Sequence, residues 1–176
     1  MKVDRIADSE DHITEAAVDG SATRLLPTGS VLVVVRGMIL AHTLPVAVTT
    51  GPVTLNQDIK GRVCGPRILP EYLHAVLTGQ AGGLLSLADS SAHGTKKLET
   101  EVLQRLEVPC PPLAVQRRIV ATVRAATAEL KELVEELWAD LDGGTRTERT
   151  FGRGRVVWGP APGELLARLG RTPDFA

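Results

Sequence analysis

The sequence predicts an α+β protein: a small, curved, mostly antiparallel β-rich domain with short helices, followed by a long helix that forms a coiled coil. Three observations carry this. Between Leu25 and Cys64, short β-branched runs alternate with Pro and Gly, at the roughly ten-residue spacing of strands joined by tight turns. The helical signals that follow are brief. After Pro109, Pro111 and Pro112 the pattern changes to one long helical period that runs to Gly143-Gly144. The implied parts are a domain over residues 1–111, a spacer or dimerisation helix over 112–142 and an Arg/Gly-rich extension over 143–176.

Residues 1–23 are polar and acidic, with a short helix predicted around Glu10 to Val18; they are expected to form a loosely held terminus, or else an edge strand at Lys2 to Ile6. Pro27-Thr28-Gly29 is a turn. Val31 to Val35 is a β-branched run suited to a buried strand, ended by Arg36-Gly37, and Met38 to Ala41 is expected to start the next strand. Val46 to Thr49 is another strand, bounded by Pro45 and by Gly51-Pro52. Val53 to Leu55 leads into Asn56-Gln57-Asp58, and Ile59 to Cys64 is a further strand. Pro70 opens a short helix that Gly79 closes. Gln80 to Gly83 reads as a loop, Leu84 to Ala88 as apolar, and Asp89 to Lys97 as a polar loop. A helical turn is expected at Thr100 to Leu103, and Leu106 to Val108 finishes the domain. Beyond the long helix, Val156 to Trp158 reads as a strand and Gly163 to Leu169 as a short helix. There is no internal repeat.

In the long helix, Ile119, Val123, Ala126, Leu130, Leu133, Leu137 and Leu141 recur at spacings of 4, 3, 4, 3, 4 and 4, the seam of a coiled coil. So narrow a seam needs a partner helix, expected from a second copy or another subunit. The competing reading is a helix lying on its own domain. Glu129, Glu132, Glu135 and Glu136 form a solvated face.

Net charge is −1, which hides a pattern. Residues 22–118 carry ten basic and six acidic side chains, a balance of +4, between two acidic segments: 1–21 with two and six, and 119–142 with two and six. A mildly basic domain permits nucleic-acid binding without requiring it. Aromatic residues make up 3% of the chain, too few for a platform that stacks single-stranded bases. With no long apolar run and no signal peptide, the expectation is a soluble cytoplasmic protein with no membrane partner. Cys64 and Cys110 form no CxxC pair and are expected to be reduced thiols; no metal and no cofactor are implied.

The leading candidate contact is His93-Gly94-Thr95-Lys96-Lys97. Gly lets a phosphate approach the backbone, Thr adds donors, and Lys or His reaches phosphate or a base edge of double-stranded DNA. Its rival reading is a solvated loop. Arg36-Gly37 is next, with a sheet-end structural Arg as the alternative. Asn56 and Gln57 have amides that pair with adenine, although an Asn in a turn is as readily satisfied by its own backbone. Lys60, Arg62 and Arg67 are plausible phosphate contacts. Catalytic signals are missing: there is no HExxH, GxSxG, Walker loop, GxGxxG or carboxylate–lysine nuclease cluster. Pro109-Cys110 resembles the nucleophile dipeptide of cytosine-5 methyltransferases, but no glycine-rich cofactor loop accompanies it.

The order of motifs resembles the specificity subunit of type I restriction–modification systems. Leu26 to Gly37 resembles that family's strand followed by Arg-Gly. Asn56-Gln57-Asp58 is similar to its Asn-Gln after a hairpin, and Ile68 to Leu73 to its proline and short helix. His93-Gly94-Thr95 with Leu98 resembles its Gly-Ser/Thr loop. Leu106 to Val120, LEVPCPPLAVQRRIV, resembles the signature I-x-x-P-x-P-P-x-x-x-Q-x-x-I-V. The resemblance implies a target recognition domain that reads base pairs through the major groove, a helical spacer, and no catalytic residues. It implies as partners a DNA methyltransferase subunit and, where present, a motor–nuclease subunit. Full subunits carry two domains and two spacers. This chain has one of each and a short region before the spacer, so it reads as a half-subunit that pairs as a homodimer or with a second specificity chain. Val115 stands where the family usually has Glu, and residues from Gly143 onward match nothing in it. The rival reading is an assembly protein that docks through its helix without reading DNA.

Overall fold

Val31 to Val34 cannot face solvent on either side, and the fold encloses them. In the computed structural model, which describes residues 3–90, 95–143, 147–151 and 154–158, they belong to β2 (Ser30–Val34), whose five residues are all buried. The sheet also contains β1 (Arg5–Ile6), β4 (Val46–Thr49) and β5 (Ile59–Val63), in the order β1-β4-β2-β5. The β2 pairings are antiparallel, while β1 runs parallel to β4. The predicted α+β class is therefore borne out, with a mixed sheet of four strands, short helices and a long helix near the C-terminus.

The register decides what each face buries. Val31 lies opposite Val48 and Val33 opposite Val46, so these four share one face. That face packs on α2 (Pro70–Gly79) through Leu73 and Leu77, in a core completed by Leu40, Leu44, Leu84 and Leu98. Leu32, Ala47 and Gly61 share the other face. There the Cδ1 atoms of Leu26 and Leu55 occupy the space that a side chain at Gly61 would need. An antiparallel bridge between Leu26 and Val53 holds this cover in place.

The Pro27-Thr28-Gly29 turn is fixed from across the sheet. Ser30 Oγ and Thr49 Oγ1 both donate to the Pro27 carbonyl, at 2.7 and 3.1 Å, and the Thr49 hydroxyl accepts from Ser30 N–H at 3.0 Å. Ser30 and Thr49 are buried yet satisfied, as buried hydroxyls must be. Gly29 has φ +80°, a conformation in which a Cβ is strained.

The acidic N-terminal region is tied down. Asp4 O accepts from Val48 N–H at 2.9 Å, Ile6 O accepts from Thr50 N–H at 2.8 Å, and Arg5 pairs with Glu71 of α2 at 2.8 Å. The predicted edge strand is therefore β1. The nearby helix, α1 (Glu15–Asp19), is shorter than expected and starts where Thr14 accepts from Ala17 N–H.

Three expectations need correction. Met38 to Ala41 is a 3-10 turn rather than a strand, because Gly37 at φ +140° turns the chain and Leu40 is drawn into the core. Gln80 to Gly83 is not simply a loop: residues Ala81–Ser86 form α3, with Leu84 buried. The glycines there are tolerated because burial of Leu84 outweighs their modest helix penalty. The polar loop from Asp89 to Lys97 contains two short strands, β6 (Asp89–Ser90) and β7 (Lys96–Lys97). They form a second sheet with β3 (Arg36–Gly37), in the order β3-β7-β6. The helical turn after it is α4 (Thr100–Gln104).

The long helix is α5 (Leu113–Gly143), beginning and ending where the prolines and the Gly pair predict. The chain divides into two units, Met1–Val123 and Arg124–Ala176. In the second, β8 (Thr147–Phe151) and β9 (Gly154–Trp158) form an antiparallel hairpin; β9 contains the predicted Val156 to Trp158 strand. The helix predicted at Gly163 to Leu169 lies outside the described residues.

Candidate nucleic-acid interface

The β2 strand does not simply stop at Val34. Leu98 N–H donates to the Val35 carbonyl at 2.8 Å, Arg36 then pairs with Lys97 and Gly37 with Lys96. This ladder carries the chain out of the buried core and onto the surface. Leu98 is buried and anchors β7 from the core side. Thr95 comes just before β7, while His93 and Gly94 lie outside the described residues.

The ribbon places two cations directly opposite each other, Arg36 and Lys97. Like charges in that position repel, and each is given a carboxylate. Asp58 Oδ1 lies 3.9 Å from Arg36 Nε, and Glu99 Oε1 lies 2.7 Å from Lys97 Nζ. Asp58 Oδ1 is enclosed and takes no hydrogen bond among the described residues, and the Arg36 guanidinium pairs with it. Lys96 faces Gly37 on one side and Ser90 on the other, and no carboxylate lies within ion-pair distance of it among the described residues.

Asp58 also brings in the Asn56-Gln57 turn. Its carbonyl accepts from Val35 and Arg36 N–H groups at 2.8 and 3.3 Å, and its own N–H donates to Asn56 Oδ1 at 3.0 Å. The Asn56 side-chain carbonyl oxygen is thus engaged in the turn, while Asn56 and Gln57 are both exposed residues. Arg36, Gly37, Asn56, Gln57, Lys96 and Lys97 therefore gather at one end of the main sheet.

Lys60 and Arg62 are elsewhere. They lie opposite Val33 and Val31, and so on the sheet face that meets α2. There they line a cavity of about 560 Å³ with Leu73, Leu77, Leu103 and Leu106. Arg67 contributes its backbone rather than its guanidinium to a joint near α5.

That joint centres on Gln116, which sequence reasoning placed in a motif but not in a role. Its side chain is fully buried. Oε1 accepts from Leu69 N–H at 2.9 Å, and Nε2 donates to the carbonyls of Arg67 and Pro111, both at 2.8 Å. Tyr72 Oη donates to the Pro109 carbonyl at 3.0 Å, and Cys110 Sγ donates to the Arg67 carbonyl at 3.4 Å. The first turn of α5 is thereby bonded to the entry of α2. Cys110 serves this joint. Cys64, partly buried on the strand end, has its thiol pushed up by desolvation.

Along α5, Ile119, Val123, Ala126 and Leu130 of the predicted seam are exposed, and Leu133 and Leu137 are half-buried. The side chain of Leu141 lies outside the description. Val134 and Trp138 are also exposed. Among the described residues no group of His, Cys, Asp and Glu is placed to hold a metal ion, and no helix is long and apolar enough to cross a membrane.

A surface ribbon of basic residues, a mixed sheet and a long helix joined to it through a buried glutamine define an α+β module that carries a long helix. No protein-family model matches the chain. Over 112 residues, 64% of its length, it is 36% identical to the Type I restriction enzyme EcoR124I/EcoR124II specificity subunit of Escherichia coli. The resemblance to type I specificity subunits that the order of motifs carries is thus borne out. The matched stretch spans 28% of that relative's length.

Proposed function

We propose that the chain is a non-catalytic, sequence-specific double-stranded DNA-binding half-subunit of a type I restriction–modification or related DNA-targeting defence system. In this reading it acts in the cytoplasm. It pairs through α5 with a second copy or another specificity chain, and directs a methyltransferase subunit and, where present, a motor–nuclease subunit. The observation that carries the reading is the β3–β7 ladder. It holds Arg36, Lys96 and Lys97 on a small surface sheet beside the exposed Asn56-Gln57 turn, and side chains of these types contact the phosphates and base edges of duplex DNA. Similarity to a protein named as a restriction enzyme specificity subunit supports the same role.

Selection of duplexes from a random library by the purified chain, at moderate salt, tests this. A short enriched motif is expected, and a two-fold symmetric split motif if two copies pair. If Lys96 and Lys97 meet phosphates, Lys96→Ala and Lys97→Ala each reduce the slope of log K against log salt by about 0.9. An unchanged slope removes β7 from the contact surface.

The second reading is an assembly protein that docks through its helix. It is favoured by the carboxylates that neutralise Arg36 and Lys97 and by the apolar side chains exposed along α5. A folded, dimeric chain that enriches no motif would select it.

A further inference from the structure

We infer that Met38 is a base reader that contacts the C5-methyl group of thymine. The inference rests on the DNA-reading role proposed above and assigns a specificity element within it. Met38 is 72% exposed and its neighbour Ile39 44% exposed, directly after the Arg36-Gly37 strand of the ribbon. An isolated surface methionine would need no explanation, but this one is held in place from both sides. Gly37 at φ +140° turns the chain outward, a conformation that a residue with a Cβ adopts only with strain. Two residues on, Leu40 is fully buried and pins the 3-10 turn to the core. Ile39 Cγ2 folds back to within 3.8 Å of where a Gly37 side chain would start. The turn is therefore anchored by Leu40, and Met38 is its most exposed large hydrophobic residue.

The chemistry of the surroundings selects the ligand. An exposed thioether chain beside Arg36, Lys96 and Lys97 meets a surface that is anionic at its rim and apolar at isolated points. The major groove of DNA has this character: phosphates flank it, and its apolar groups are the thymine methyls. A flexible, polarisable methionine suits such a contact because it adapts to a methyl group without demanding hydrogen bonds.

The test uses the full chain and the random-duplex selection, followed by affinity measurements on the selected duplex with each thymine replaced in turn by uracil, which lacks only the methyl. For the wild type, one replacement should weaken binding about four-fold, the value of one buried methyl. Met38→Ser and Met38→Ala, both at an exposed site and so folded, should bind the thymine and uracil duplexes equally. The inference is overturned if the wild type selects a motif but no uracil replacement changes its affinity, or if Met38→Ser keeps the thymine–uracil difference. Failure of the folded wild-type chain to select any motif overturns the DNA-reading role, and this inference with it.

Discussion

Burying the amide of Gln116 is unfavourable unless every polar atom finds a partner, and here each does. Gln116→Ala leaves the Leu69 N–H and the Pro111 carbonyl unsatisfied and the Arg67 carbonyl with only the weak Cys110 thiol donor, and should lower stability by about 2–3 kcal/mol. Gln116→Glu keeps the shape but turns a carboxylate toward the Arg67 and Pro111 carbonyls. It should cost about 3–5 kcal/mol at neutral pH, as an uncompensated buried charge does, and less in acid, where the carboxyl regains a proton to donate. Urea denaturation at pH 7 and pH 5 separates the two variants. The thiols offer a second residue-level check. Burial raises the Cys64 pKa, so at a given pH less of it is the reactive thiolate than for an unperturbed thiol. At pH 8 iodoacetamide should label exposed Cys110 first, with Cys64 catching up as pH rises; equal rates at pH 8 would contradict the burial described.

Among the elements, those governed by local rules were legible in the sequence. The β-branched runs of β2 and β4 and the Pro-to-Gly extent of α2 and α5 follow from period, propensity and caps. What escaped sequence reading depends on distant contacts. Met38 to Ala41 is apolar enough for a strand, and only the burial of Leu40 and the φ of Gly37 make it a turn. The Asp89 to Lys97 segment is too polar to announce strands; β7 exists because Leu98 is buried and extends the β2 ladder. The candidate site shows the same division. Arg36, Lys96 and Lys97 were recognisable as cations near glycine, but their direct pairing, and the roles of Asp58 and Glu99, required the register. Lys60 and Arg62 looked like their equals; strand alternation places them on the α2 face of the sheet, apart from the ribbon but still exposed. For α5, the seam residue Leu130 is 62% exposed, so Leu130→Asp should leave the domain folded while abolishing self-association in sedimentation. A variant that stays dimeric would refute the seam as drawn from the heptad pattern.

For the whole molecule, the proposed pairing through α5 would make stability a function of concentration, because association stabilises the folded state by mass action. The melting temperature of the wild type should rise with protein concentration, and that of Leu130→Asp should not. A wild-type melting temperature independent of concentration would argue that α5 needs no second copy. The joint at Gln116 has one more consequence. Gln116 and Tyr72 bond to backbone atoms of residues 67, 69, 109 and 111, and so take no account of which side chains those positions carry. A connection written in main-chain atoms survives substitution at its own sockets. The surface ribbon and its turns are thus free to diversify in sequence while the mounting stays the same. A foreign ribbon grafted onto this sheet would keep its attachment to the helix, provided the glutamine and the tyrosine are retained.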